Sequence, residues 1–120
     1  MDNSIKKKKV LIIEDDSLTL LVLKNLIQNQ NCDVIALNDG RKYQDQMMAV
    51  DAVILDCGLP FISGEELARE IKTASPKIKV VLTSVSPIEN INPEIMNIVD
   101  GFIGKPYNTE KIDSLFKLLF

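Results

Sequence analysis

Val10-Leu11-Ile12-Ile13-Glu14-Asp15-Asp16 is an unbroken apolar run that gives way, within one step, to three consecutive acids. A short continuous apolar run describes a strand buried on both faces, the environment of a parallel sheet. The same grammar recurs along the chain. Ala52 to Leu55 runs into Asp56, Val80 to Leu82 into Thr83-Ser84, and Phe102-Ile103 leads through Gly104 to Lys105, while Val34 to Leu37 is a further apolar run. In open α/β sheets the ligand site lies beyond the carboxyl ends of the strands. An acidic group, a lone acid, a hydroxyl and a lysine are therefore expected along one edge.

The stretches between these runs carry helical spacing. Ser17 to Gln30 repeats Leu20, Leu23 and Ile27, with Asp16 or Ser17 able to cap its start. Gly64 to Ala74 puts Leu67, Ala68 and Ile71 on one face and a Glu65–Arg69 pair on the other, and Ser75-Pro76 ends it. Arg41 to Met48 reads as a shorter, weaker second helix, and Asn108 to Phe120 as a fifth with Ile112, Leu115, Phe116 and Leu119 inward. The fourth helix has two candidate starts, Ser86-Pro87 and Asn92-Pro93, each a cap followed by a proline; Asn92 with a long preceding loop is favoured. Strand and helix alternating five times predicts a parallel sheet with helices on both faces, joined by right-handed crossovers.

With 120 residues and 46% hydrophobic content, the chain supports one core. Residues 1–9 read as a basic, solvated N-terminal tail and residues 10–120 as one domain. No apolar stretch approaches the roughly 20 residues of a membrane span, and the start lacks the apolar segment of a secretory signal, so a cytoplasmic protein without membrane contact is expected. A net charge of −3 argues against a direct nucleic-acid surface. Cys32 and Cys57 read as packing residues rather than a disulfide. The chain has no histidine, which removes His-based metal sites and any phosphohistidine of its own.

Taken singly, the edge residues have ordinary roles: Asp16 a helix cap, Asp56 a turn former, Thr83 a strand end, Lys105 a solvated charge. Gathered together, carboxylates about 4 Å apart repel by roughly 4 kcal/mol per pair at an effective dielectric near 20, so the cluster needs a cation. An all-oxygen set without Cys or His suits Mg²⁺.

In order, Val10 to Asp16, Asp51 to Asp56, Leu59-Pro60, Gly64, Leu82-Thr83-Ser84 and Asp100 to Pro106 resemble the signature of the response-regulator receiver domain of two-component systems. That resemblance implies a flavodoxin-like, doubly wound five-stranded parallel sheet in the order 2-1-3-4-5. It also implies a role for each matching position. Asp56 would be the phosphoacceptor. Asp15 would bind Mg²⁺ directly with Asp56, Glu14 would act through a metal-bound water, and the Gly58 carbonyl would complete the protein ligands. Thr83 would hydrogen-bond the phosphoryl oxygens and Lys105 would neutralise their charge. The Lys105-Pro106 bond would be cis, and Phe102 would swing inward as Thr83 moves.

By the same resemblance, the phosphoryl group would come from a histidine kinase or phosphotransfer protein. The domain would catalyse its own phosphorylation and dephosphorylation, as a regulatory phosphoacceptor rather than an enzyme with a separate substrate. The surface of helix 4, strand 5 and helix 5 would carry the signal to a downstream domain or protein, in a monomer or a weak phosphorylation-dependent dimer. Both a stand-alone receiver and the front of a longer regulator fit a chain reaching Phe120. Glu14 stands where aspartate is more frequent, Gly58 brings no side chain, Val85 is apolar, and Ile98-Val99 replace a usual Gly-Ala pair.

Other phosphate-handling folds fit less well. A haloacid-dehalogenase phosphatase needs Asp-x-Asp followed by Thr, which Glu14-Asp15-Asp16-Ser17 lacks, and a topoisomerase-primase domain needs an Asp-x-Asp that Asp56-Cys57-Gly58 does not supply. A receiver-like module without phosphorylation would keep the fold and lose the acids.

Overall fold

The five apolar runs become five parallel strands in the computed structural model, which describes residues 7–120. They are β1 (Lys9–Ile13), β2 (Asp33–Leu37), β3 (Ala52–Asp56), β4 (Lys79–Ser84) and β5 (Gly101–Gly104), in the order β2-β1-β3-β4-β5. β1, β3 and β4 are buried almost throughout because each is flanked by strands and covered on both faces. β2 and β5 lie at the sheet edges and are largely half-buried.

Among the described residues four α-helices clothe the sheet: α1 (Ser17–Gln28), α2 (Gly64–Ala74), α3 (Pro93–Ile98) and α4 (Thr109–Leu119). The predicted fourth and fifth helices are thus α3 and α4. Leu23 and Ile27 of α1 and Ile112, Leu115 and Leu119 of α4 pack on Val10, Ile12, Ile54, Val81 and Ile103. On the other face, Leu67, Ala68 and Ile71 of α2 and Ile95 of α3 pack on Leu11, Ile13, Val53, Leu55 and Leu82. Burying one Leu or Ile is worth about 1.5–3 kcal/mol, so these two layers dominate the stability.

Local chemistry sets the helix ends. Asp16 caps α1 by accepting from the Thr19 amide (2.9 Å), and Ser63 caps α2 by accepting from the Glu66 amide (3.1 Å). Asn92 caps α3 through the Glu94 amide (2.9 Å), as its sequence position predicts, and Asn108 caps α4 through the Lys111 amide (2.8 Å). Before α3 the chain makes only a 3₁₀ turn at Ile88–Asn90.

The structure corrects four local expectations. Arg41 to Met48 is no α-helix: only a 3₁₀ turn at Tyr43–Gln46 forms. Lys42 gives no side-chain cap, Tyr43 alone is buried, and Ala49 enters the left-handed region at φ 60°, so no apolar face sustains further turns. α1 stops at Gln28 rather than Gln30, because Asn31 turns the chain through φ 61°, a conformation asparagine tolerates. Arg69 pairs with Glu66 at 2.9 Å, one residue nearer than the expected Glu65. Lys9 belongs to β1 rather than to a tail: its amide donates to Asp51 Oδ2 at 2.8 Å, and it pairs with Asp33 in the β2 register. Of the rest of the predicted tail, Lys7 and Lys8 are exposed and belong to no element, and residues 1–6 lie outside the described residues.

Candidate functional site

Strand alternation decides which edge residues can meet. Successive side chains point to opposite faces, so the residue two beyond an inward-facing one shares its side. Ile12, Ile54, Val81 and Ile103 all face the layer of α1 and α4. Two residues further along each strand come Glu14, Asp56, Thr83 and Lys105. The register aligns these ends, with Ile13 opposite Leu55, Asp56 opposite Thr83 and Thr83 opposite Ile103. One parity and one register thus gather the four polar groups above the same face.

Glu14 and Thr83 are each 1% exposed and Asp56 is 7% exposed. Lys105 Nζ lies 2.7 Å from Glu14 Oε1 and 3.1 Å from Asp56 Oδ1, so one ammonium bridges both carboxylates. Oxygens of Glu14, Asp15 and Asp56 lie within 4.8 Å of one another. Asp16 stands apart, its carboxylate spent on the Thr19 amide and hydroxyl, and those two donors hold it below the usual carboxylate range.

Burial pushes the Glu14 carboxyl above its ordinary range; the Lys105 contact and the Asp16 amide oppose this, and the Asp56 charge adds to it. For Lys105, burial alone would favour the neutral amine, but contact with Glu14 and Asp56 outweighs it and raises the pKa. One cation therefore faces three acids. Glu14 Oε1 is buried and, despite the nearby ammonium, has no hydrogen bond of proper direction among the described residues. A buried carboxylate oxygen in that state costs stability unless a cation or a water satisfies it. The donor set is all carboxylate oxygen, which fits a hard divalent cation.

Gly58 sits beside the acceptor, where an added Cβ would lie 3.8 Å from Asp56 Oδ2, an ordinary contact. Gly64 is more constrained: a Cβ there would lie 2.2 Å from the Asp56 carbonyl oxygen and 2.8 Å from its carbon. The start of α2 is thus pressed on the backbone that carries the acceptor. Gly64→Ala is expected to displace Asp56 and Cys57, destabilise the chain by about 1–3 kcal/mol and weaken divalent-cation binding. Chemical denaturation with cation titration checks this, and wild-type values for both would refute it.

Phe102 is half-buried and packs with the α2 and α3 layer, on the face of β5 opposite to that of Thr83. The Lys105-Pro106 peptide is cis, as the resemblance implies. Cys32 is buried just before β2 and Cys57 follows β3, so they lie at opposite ends of strands about 16 Å long; both are free. Sequence reasoning passed over two contributors. Lys111 Nζ donates to the Gly104 and Pro106 carbonyls (3.1 and 2.8 Å), clasping the loop that carries Lys105. Tyr107 carries a buried hydroxyl beside the loop of Lys105; a hydroxylated aromatic two residues past Lys105 was its only signal.

Comparison with known proteins agrees with this fold. A receiver domain from Methylobacillus flagellatus superposes with a TM-score of 0.87 at 20% identity, covering 96% of this chain and 100% of that one. The response regulator TrrA from Thermotoga maritima, solved in complex with Mg²⁺ and beryllofluoride, gives 0.84 at 23% identity over 94% of this chain and 99% of TrrA. A cyclic di-GMP phosphodiesterase from Thermotoga maritima is 32% identical over 102 residues, which are 84% of this chain and 28% of that protein. The chain thus spans well under half of that relative's length. No described helix is long and apolar enough to cross a membrane. Residues 10–117 match the family model described as the response regulator receiver domain, and with that match over nearly the whole sheet and its helices the chain belongs to the receiver-domain family of two-component signalling.

Proposed function

We propose that Asp56 is the phosphoacceptor of this receiver, and that it takes the group from a phosphohistidine on a histidine kinase or phosphotransfer protein. The observation that carries the reading is the placement of Asp56: nearly buried, within 3.1 Å of Lys105, and in one cluster with Glu14 and Asp15. An Asp56 oxygen attacks phosphorus, the phosphorus–nitrogen bond of the donor breaks, and the imidazole leaves to pick up a proton. The product is an acyl phosphate that water later hydrolyses. Phosphoryl transfer depends on positioning and charge neutralisation more than on covalent assistance. The Lys105 ammonium neutralises the transferred group, and the Thr83 hydroxyl donates to one of its oxygens. Asp15, Asp56 and the Gly58 carbonyl, with Glu14 behind them, would hold a Mg²⁺ ion, which would supply the remaining positive charge; the beryllofluoride complex of TrrA supports this choice of ion.

A protein donor is supported by the surface around the site. Leu18, Leu21 and Val22 are exposed on one side of α1 at helical spacing, and Val85 is 81% exposed. With Lys105, Pro106 and Tyr107, three of these (Leu18, Val22 and Val85) line a groove of ≈ 390 Å³ beside the acceptor. An apolar rim around a charged site suits a partner helix.

The signal leaves through α3, β5 and α4. Phosphorylation adds roughly two negative charges and draws in Thr83 and Lys105. Because Phe102 and Thr83 stand on opposite faces, their coupling runs through the backbone after Ser84 rather than through side-chain contact. That segment is exposed from Val85 to Asn90 and leads into a helix of only six residues, a suitable low-stability element.

The reading is tested by incubating the chain with acetyl phosphate and Mg²⁺. One phosphoryl group per chain is expected by intact mass, removed by hydroxylamine as an acyl phosphate must be. Failure of both acetyl phosphate and a panel of phosphorylated histidine kinases to label it would overturn the proposal.

A further inference from the structure

Lys105 stands between two carboxylates on a loop with few ties of its own. Its amide donates to the Ser84 carbonyl at 2.9 Å, which fastens the start of the loop to β4. Pro106 has no amide hydrogen to give. Tyr107 adds ring packing against the α1 and α4 layer, but its buried hydroxyl makes no hydrogen bond among the described residues. No backbone amide among the described residues reaches the carbonyl of Gly104 or of Pro106. Both carbonyls are taken instead by one ammonium, with Lys111 Nζ 3.1 Å from Gly104 O and 2.8 Å from Pro106 O. These carbonyls flank Lys105 in sequence, so the ammonium closes a bridge around it.

The helix itself gives little reason for a lysine there. Asn108 caps α4, so Lys111 is the third helical residue, its amide already satisfied by Asn108 Oδ1 at 2.8 Å. The first turn carries the positive end of the helix dipole and favours acids, and the third position suits a Glu or Gln that reaches back to the cap. Glu110 obeys that rule and Lys111 breaks it. Among the described residues Lys111 also has no carboxylate partner. The helix therefore carries an unfavourable charge whose ammonium is used outside it, on the loop.

The bridge protects the division of Lys105 between its two acids. The Lys105 ammonium is 2.7 Å from Glu14 and 3.1 Å from Asp56, so a loop free to shift lets it settle on the nearer and more deeply buried Glu14. Phosphoryl transfer needs the charge beside Asp56 to be in place when phosphorus is attacked. We propose that Lys111 is a positioning residue for phosphoryl transfer: by bonding the carbonyls on both sides of Lys105, it fixes the loop so that the Lys105 ammonium stays beside Asp56. This inference rests on the phosphoacceptor reading above and extends it to a residue outside the quoted signature, one that acts only through Lys105.

The test compares the full chain with Lys111→Met, which keeps the aliphatic stem and removes the ammonium, and with Lys111→Arg, whose fork can still donate to two carbonyls. Labelling by acetyl phosphate at saturating Mg²⁺ is followed by intact mass. Because the bonds are open to water, Lys111→Met is expected to slow labelling only about three- to tenfold, the worth of roughly one hydrogen bond. Mg²⁺ affinity is expected to stay at the wild-type value, and Lys111→Arg to restore most of the rate. A second readout needs no donor. The Cε protons of Lys105, assigned by their absence from Lys105→Met, are expected to be distinct from one another in wild type and to merge in Lys111→Met as the side chain is freed. Wild-type labelling by Lys111→Met, no recovery with arginine, or unchanged Lys105 signals each overturn the inference while leaving the phosphoacceptor reading intact. A wild-type chain that acetyl phosphate does not label counts against the phosphoacceptor reading instead, and the Lys105 signals still decide whether Lys111 fixes that side chain.

Discussion

Asp56→Asn is expected to leave the chain folded and to abolish phosphoryl uptake. Asparagine has the same shape, so the end of β3 and the press of Gly64 against its backbone are undisturbed. Lys105 loses one anionic partner but keeps Glu14 at 2.7 Å, so no buried cation is stranded. What disappears is the carboxylate nucleophile. Removing a covalent nucleophile commonly costs well over about a thousandfold in rate. The other candidates are poorly suited: Asp15 is exposed at the rim, Asp16 is occupied as a helix cap, and Thr83 has no general base such as histidine in this chain. Intact mass after acetyl phosphate treatment is therefore expected to show one added phosphoryl group in wild type and none in Asp56→Asn. Equal labelling of the variant would move the acceptor elsewhere.

The sheet and most of the site were legible because one rule generates both. A strand covered on both faces must be apolar along its whole length, so the first polar residue after each run marks the carboxyl edge, and Glu14, Asp56 and Thr83 stand there. The helices that read correctly, such as α2 and α4, have caps and an apolar stripe that agree with one another. Arg41 to Met48 failed because propensity was asked to do what packing does: with Tyr43 alone buried, nothing anchors a second turn. Lys9 was misread because its charge looks like tail sequence, although its strand role uses only the backbone. The condition of Tyr107 was invisible for a related reason. Whether an aromatic hydroxyl is bonded, exposed or orphaned depends on neighbours more than twenty residues away, such as Thr83, and no local pattern records that.

Asp15→Asn is expected to have two opposite effects, a gain in stability without metal and a complete loss of the gain that metal brings. In the metal-free chain, Asp15 adds a third carboxylate to a cluster whose only adjacent cation among the described residues is Lys105. Repulsion between unit charges about 4 Å apart runs from about 1 kcal/mol in water to about 4 kcal/mol near a protein surface, and exposed Asp15 belongs at the lower end. Neutralising it should stabilise the metal-free chain by about 1 kcal/mol, or about 4 °C in Tm for a domain of this size. Glu14 contributes to the same balance with a definite pH dependence. Its carboxyl titrates higher in the folded chain than in the unfolded one, so its share of metal-free stability is present below the unfolded value and is lost as pH rises through the folded one. Saturating Mg²⁺ at a hundred times its dissociation constant would stabilise wild type by about 2.7 kcal/mol, or about 10 °C. Asp15→Asn removes a ligand and should show almost none of this increment. Thermal unfolding with EDTA and with Mg²⁺ measures both halves. A variant that gained as much from Mg²⁺ as wild type would remove Asp15 from the metal site, and one less stable than wild type in EDTA would show that the cluster is not under repulsion.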